Sequence, residues 1–206
     1  MNHPTGSQPG LRERKREATR RRIAAEAARL ATERGVAGVT TEEIAEAAEV
    51  SRATVFRYFD TKETAIAEGF STPWVDGLLK TLADQPADLG PMEALTATFR
   101  LLGQLVDRSV HDLVIEQARI VRESPSLQAW IASAYLRDEE LVADVIADRL
   151  ASTDPLDPRP RLAGAIAMAA IRVGLDQWLA GDGEEDLAVL FERLVSGVQL
   201  REYGDR

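Results

Sequence analysis

A chain of 206 residues with a formal net charge of -9 and no cysteine has room for one medium domain, or a small one beside a larger one. It excludes a disulfide framework, a thiolate nucleophile and a sulfur-ligated metal. No apolar run reads as the roughly 20 residues that span a bilayer, and MNHPTGSQPG lacks the apolar centre of a signal peptide, so a soluble, cytoplasmic chain with no membrane partner is expected.

The charge is unevenly placed. Residues 1–62 carry 12 Lys/Arg against 9 Asp/Glu, and the remainder 13 against 25. Residues 1–11 read as a flexible arm. A first helix runs from about Arg12 to Arg34, with Ile23, Ala27, Leu30 and Ala31 as its buried stripe and Gly35 as its stop. Its front carries Arg12, Arg14, Lys15, Arg16, Arg20, Arg21 and Arg22 against only Glu13 and Glu17. Such a segment can neutralise several phosphates, with an affinity that falls steeply with salt; a solvated face in an Arg-rich chain is the plainer alternative.

Thr40 and Glu43 have the spacing of a capping box and open a short helix striped by Ile44 and Ala48. Ser51 suits the N-cap of the next, where Val55 and Phe59 face inward. Ala53, Thr54, Phe56 and Arg57 then point outward, with Tyr58 beside them. Asp60 or Thr61 caps a following helix that carries Lys62 in its first turn. A cation there opposes the helix dipole, so an external phosphate is expected opposite Lys62. Two short helices around a tight turn form a unit that lies across a phosphate backbone and sends one helix into the major groove. The expected division of labour gives phosphates to Thr40, Tyr58, Lys62 and the basic Arg12, Arg14, Lys15 and Arg16. Arg52, Ala53, Phe56 and Arg57 reach base edges, and Ser51 and Thr54 complete the interface.

The segment IAEAAEVSRATVFRYFDTKE resembles the helix-turn-helix of the TetR-type (tetracycline-repressor) family of bacterial transcription regulators, a pattern that covers roughly residues 12–65. One position departs: the family usually has Gly in the turn, where this chain has Glu49. A left-handed Glu49 would cost about 1 kcal/mol.

Beyond this unit, Pro73 is expected to break the helix near Phe70 and restart it. A loop follows at 84–91, then helices at about Pro91 to Asp107 and Val110 to Glu123, and a long one from Ser124-Pro125 to about Leu150. The three prolines of Ser152 to Pro160 mark a linker. Two final helices cover about Arg161 to Ala180 and Glu184 to Arg201. The chain is therefore expected to be all-α, with about nine helices, a DNA-binding domain at 12–62 and an effector-binding and dimerisation domain at 63–206.

The last two helices suggest a homodimer. Leu187, Leu190, Phe191, Leu194 and Val198 form one stripe, and the preceding helix is rich in small residues, though intrachain packing would use the same features. A lone helix-turn-helix usually needs two half-sites, and the TetR-type resemblance implies a four-helix bundle between two subunits. Surplus apolar residues in the acidic domain suggest an effector cavity between helices. Its candidate lining is Phe99, Leu102, Val114, Ala118, Arg119, Arg122, Trp130, Tyr135 and Met168, with Arg119 and Arg122 for an anionic head group. The aromatic residues and Met168 could equally be core, and the arginines could serve the helix dipole. ESPSLQAWIASAYLRDEELVADVIADRL and PRPRLAGAIAMAAIRVGLDQWLAG resemble the C-terminal domain of regulators that bind acyl-CoA-like ligands, including those of mycofactocin clusters. That resemblance implies an acyl or acyl-CoA effector.

Nothing points to catalysis. No Ser-His-Asp set, Gly-rich phosphate loop or H-E-x-x-H motif is present, His3 and His111 stand apart, and Asp138, Glu139 and Glu140 read as a solvated face. No catalytic residue, metal or cofactor is expected. The expected function is a ligand-responsive, sequence-specific repressor, released from a near-palindromic double-stranded operator by a small apolar or acyl-type effector. The alternative is a dimeric DNA-binding regulator without a small-molecule effector, controlled by a protein partner or by abundance.

Overall fold

The computed structural model describes residues 10–150, 154, 156–181 and 183–198. Among them are nine helices and no strand, the all-α architecture expected. The backbone divides into two compact units, one up to Phe70 and one from Ser71 onward. The expected arm lies outside the described residues up to residue 9.

The first unit holds α1 (Leu11–Arg34), α2 (Thr41–Ala47), α3 (Arg52–Tyr58) and the start of α4 (Lys62–Ala83). Its core is built from residues at three- and four-residue spacing: Ile23, Ala27, Leu30 and Ala31 of α1, Ile44 of α2 with its C-cap Ala48, and Val55 of α3 with its C-cap Phe59, all nearly or fully buried. Burying each large member contributes about 1.5–3 kcal/mol. Helix α4 comes close to α1, because a Cβ on Gly69 would stand 2.1 Å from the Ala24 carbonyl oxygen. Only glycine permits that approach.

Local capping sets the turns. The Thr40 Oγ1 accepts from the Glu43 amide at 3.2 Å, and Glu43 Oε2 accepts from the Thr40 amide at 2.9 Å, the expected capping box. The Ser51 Oγ accepts from the Thr54 amide at 3.1 Å. Between these two caps, Glu49 has φ 51°. The Val50 amide donates to Ala45 and the Glu49 amide to Glu46, the double bond of a Schellman ending. That motif wants glycine at the residue Glu49 occupies. The turn is therefore preserved in shape, with a side chain in the left-handed region.

Helix α4 corrects the expected break at Pro73, since one helix runs through it. Ile66, Phe70, Leu78 and Leu82 are buried at intervals of four or eight, so the apolar stripe continues across the proline. Pro73 itself is exposed, which leaves its ring clear of the packed face. Burial on both sides outweighs the ~3 kcal/mol an interior proline costs.

The second unit adds α5 (Pro91–Gln104), α6 (Arg108–Glu123), α7 (Pro125–Leu150), α8 (Arg159–Ala180) and α9 (Leu187–Ser196). Helix α5 stops earlier than expected because Asp107 caps α6, accepting from the Ser109 and Val110 amides at 2.9 and 3.0 Å. The linker expected at 152–160 falls partly outside the described residues, as does the final helix from residue 199. The small residues of α8 are used inside the chain. A Cβ on Gly164 would lie 2.3 Å from the Glu139 carbonyl oxygen of α7, and one on Gly174 would lie 2.5 Å from the Phe191 ring of α9.

The α9 stripe also packs within the chain. Leu187, Leu190 and Phe191 are buried in this chain's own core, with Leu194 and Val198 packed against it. The Phe191 ring meets Phe99 of α5 at 5.3 Å between centroids. The stripe thus contributes to the core of one subunit, with Leu194 and Val198 left partly buried. Helix α8 is also long and apolar enough to cross a membrane by length and composition, a run the sequence expectation passed over. Here it is a core helix, with Ala163, Ala167, Met168 and Trp178 buried.

Asp138 corrects the expected solvated face. It is 2% exposed, because it shares the inward face of α7 with Ala134 and Val142, four residues away on either side. Burial holds its carboxyl above the usual carboxylate range, against the pull of Arg137, whose Nε lies 3.4 Å from Oδ1.

Candidate nucleic-acid interface

The seven residues of α3 divide cleanly. Val55 faces the core, while Arg52, Ala53, Phe56 and Arg57 are exposed and Thr54 and Tyr58 are half-buried. Phe56 is 46% exposed, an aromatic ring left outside an otherwise filled core. The Ser51 and Thr54 hydroxyls lie 2.9 Å apart at the helix start. An exposed helix face that mixes cationic and apolar tips is what base-edge readout in a major groove requires: Arg forks meet guanine, and apolar tips meet the thymine methyl group.

Beside this face the structure assembles several residues singled out in the sequence. Arg12, Lys15 and Arg16 of α1 line an open groove of about 880 Å³ with Arg57 and Tyr58 of α3, together with Gly10, Glu13 and Thr19. Four cations thus oppose a single carboxylate along one wall-to-wall channel. Arg14 is exposed on the same helix but does not line the groove.

Two exposed cations are held in place by neighbours. The Arg52 Nη1 lies 2.9 Å from Glu42 Oε1, and its guanidinium stands 5.4 Å from the Phe56 ring centre. Both partners of this ion pair are well exposed, so it contributes less than about 1 kcal/mol. Arg57 lies over the Tyr58 ring at 5.3 Å.

Other predicted contacts are occupied within the chain. The Lys62 Nζ, expected to face an external phosphate, donates to the Val36 and Val39 carbonyls at 2.8 and 2.6 Å. Those carbonyls supply the negative partner that the helix start lacks. The Thr40 hydroxyl, a predicted phosphate donor, instead donates to Glu43 Oε2 at 2.8 Å. The two Thr40 hydrogen bonds and nearby Arg34 hold the Glu43 carboxyl below its ordinary range.

One residue of the basic cluster has a role the sequence did not disclose. Arg20 donates from Nε to Glu68 Oε1 at 2.6 Å, from Nη2 to the second oxygen of Glu68, and from Nη1 to the Tyr58 carbonyl at 2.9 Å. It also stacks over Phe59 at 4.5 Å. Glu68 is 48 residues away in the chain, so no local spacing could have signalled the pair.

The predicted effector residues separate into two groups. Phe99, Leu102, Val114, Tyr135 and Met168 meet in one apolar cluster. Arg119 is exposed and paired with Glu116 at 3.1 Å, Arg122 is exposed at the end of α6, Ala118 is half-buried, and half-buried Trp130 lies under Arg137 at 5.2 Å. His111, dismissed in the sequence, has Nε2 3.1 Å from the Gly183 carbonyl oxygen and its ring edge-on to Trp178. Trp178 Nε1 donates to the Glu185 carbonyl at 2.8 Å, so the α8–α9 turn is pinned from two sides. Among the described residues no group of three or more His, Asp or Glu could hold a metal ion.

Comparisons with known proteins bear on both units. Residues 23–68 match the model for bacterial regulatory proteins of the tetR family, and residues 89–201 match the MftR C-terminal domain. The HTH-type transcriptional regulator TcmR of Streptomyces glaucescens is 32% identical over 98% of this chain and 92% of its own length. Among solved structures, FadR of Thermus thermophilus in complex with lauroyl-CoA superposes with a TM-score of 0.55 at 24% identity, covering 91% of this chain and 98% of that one. FadR of Bacillus subtilis in complex with stearoyl-CoA gives 0.52 at 20% identity, covering 86% and 98%. Both share the fold.

Proposed function

We propose, from the premise that this chain belongs to the TetR family of bacterial regulatory proteins, that it is a cytoplasmic, homodimeric repressor released from DNA by a small apolar or acyl-type effector. It is a transcription regulator and not an enzyme. The observation that carries the finer reading is the exposed α3 face standing beside a groove walled by Arg12, Lys15, Arg16, Arg57 and Tyr58.

In this reading α3 enters the major groove of a near-palindromic operator, and two subunits present it to successive half-sites. Arg52, Ala53, Phe56 and Arg57 meet base edges, with Ser51 and Thr54 at the helix start. Arg12, Arg14, Lys15, Arg16 and Tyr58 hold phosphates. Thr40 and Lys62 act on the scaffold, fixing the turns around α2 and the start of α4. Residues 12–62 carry DNA binding, and residues 63–206 carry effector binding and dimerisation. Support for an acyl-type effector comes from the apolar interior formed by Phe99, Leu102, Val114, Tyr135 and Met168, and from the acyl-CoA that FadR of T. thermophilus holds in the same fold. To drive release from 1:99 to 99:1, the effector must favour the released state by about 5.5 kcal/mol.

One observation favours a second reading. Phe99 and Met168 are 1% and 3% exposed, closed on their neighbours as core residues are, and Arg119 is already paired with Glu116. A regulator with no small-molecule effector, governed by a protein partner or by its own abundance, would look the same.

Selection of bound genomic fragments by the purified chain, followed by thermal shift with acyl-CoAs of graded length, tests both readings. The expected outcome is one enriched, near-palindromic site and a raised melting temperature with one range of chain lengths. A single subunit with no preference among duplexes in dilute buffer would overturn DNA-based regulation. Intact operator binding with no shift by any acyl-CoA would replace the effector reading with the second one.

A further inference from the structure

Within the basic front of α1, Arg20 does not line the groove and is engaged inside the fold. Its guanidinium uses Nε and Nη2 on Glu68 of α4, and Nη1 on the carbonyl of Tyr58, the last residue of α3. Its plane lies over the Phe59 ring. The Glu68 side chain is only 13% exposed, and the next residue, Gly69, is packed onto the α1 backbone at Ala24. The C-terminal carbonyls of a helix have no partner within it and carry its negative dipole end. The Tyr58 carbonyl is therefore a natural seat for a cation, and Glu68 fixes that cation's orientation. A planar fork with several donors can serve two acceptors on different helices at once; a lysine ammonium cannot reproduce that geometry.

We infer that Arg20 is a positioning residue for operator recognition, not a phosphate contact, and that Glu68 is its required partner. Together they set the end of α3 relative to α1, and so align Arg57 and Tyr58 with the Arg12, Lys15 and Arg16 side of the groove. Because Glu68 belongs to α4, the same guanidinium ties the end of α3 to α4 as well as to α1. The inference rests on the proposed DNA-binding function and names the residues through which that site is held.

The two roles for Arg20 predict opposite results for Glu68→Gln in the full-length chain. Removing a carboxylate from a DNA-binding surface strengthens or spares binding if Arg20 serves phosphates, since the freed cation gains a duplex partner. If Arg20 is a positioning residue, E68Q weakens operator binding roughly tenfold while the slope of log affinity against log salt stays at the wild-type value. Arg20→Lys, which keeps the charge and loses the fork, weakens binding to a similar degree, and R20K/E68Q is no weaker than either single variant. Binding to a random duplex at low salt stays near wild type in all three, which separates misalignment from loss of the fold. Unchanged or tighter operator binding by E68Q, or wild-type binding by R20K, would overturn the inference. Should either single variant fail to fold, the other decides alone. A wild-type chain without operator preference would count against the proposed function itself, a result distinct from these.

Discussion

The two units solve opposite problems with the same kind of helix. In the first, α1 and α4 are packed so closely that Gly69 meets backbone, while a row of cations and one phenyl ring face outward. In the second, the helices turn most of their acidic residues to solvent, with Asp138 as the exception, and gather Phe99, Met168, Trp178 and Phe191 into a closed core while leucines such as Leu105 and Leu136 stay outside it. The first unit displays its chemistry and the second encloses it. A surface used for recognition can thus be identified from exposure and charge. An enclosed one looks like ordinary core until a ligand is supplied.

The strongest test of this contrast is to damage each core separately. Phe59→Ala should remove about 3–5 kcal/mol from the first unit, with the calorimetric transition of the second largely retained; Phe99→Ala should do the reverse. One shared transition, equally lowered by both, would show that the units are not separable in this way.

Next in size are the side chains proposed to contact DNA. Arg57→Ala should cost about 1–3 kcal/mol at the preferred operator and relax preference at one or two base positions. Arg16→Ala should instead weaken all duplexes evenly and reduce the salt slope by about 1. Binding-site selection and salt titration distinguish them, and an identical pattern for both would erase the division between base and phosphate contacts.

Much of the first unit was legible because its signals are local. A capping box, an N-cap and a four-residue repeat each lie within a few residues, and Thr40, Ser51, Val55 and Phe59 behave accordingly. What was illegible depended on distant partners. Lys62 finds its acceptors 23 and 26 residues back, and Arg20 meets Glu68 across 48. The inward face of α7 places Asp138 in a position that consecutive acidic letters disguise. The α9 stripe was visible, but which surface covers it is decided by α5 and α8 of the same chain. For the effector set, spacing located apolar helices without separating lining from core.

A smaller effect concerns the turn inside the first unit. Glu49→Gly should stabilise it by about 1 kcal/mol, since glycine adopts the left-handed conformation without the Cβ conflict. Chemical denaturation monitored on that unit measures the gain, and a loss would mean the Glu49 side chain contributes something beyond its backbone.

Smallest are two pH effects of opposite sign. The Glu43 carboxyl sits below its ordinary range in the fold, so its contribution is present at neutral pH and is lost as pH falls through the folded value. Glu43→Gln should therefore destabilise at pH 7 and converge on wild type in acid. Asp138 is held above its range by burial, so its favourable state exists at low pH and fades as pH rises through the folded value. Asp138→Asn should stabilise the second unit at pH 7 and make little difference in acid. Melting curves across pH for both variants check the signs, and two shifts in the same direction would remove this distinction between the units.

The unbroken passage of α4 through Pro73 has a mechanical consequence. A helix of 22 residues is a strut about 33 Å long, and Pro73 brings no N–H to the carbonyl of Gly69. That missing rung makes one point along the strut more compliant than the rest. The compliance has a direction, because the pyrrolidine ring obstructs bending toward itself and permits bending away. Helix α4 is thus a one-way spring, stiff against one sense of flexure and yielding to the other.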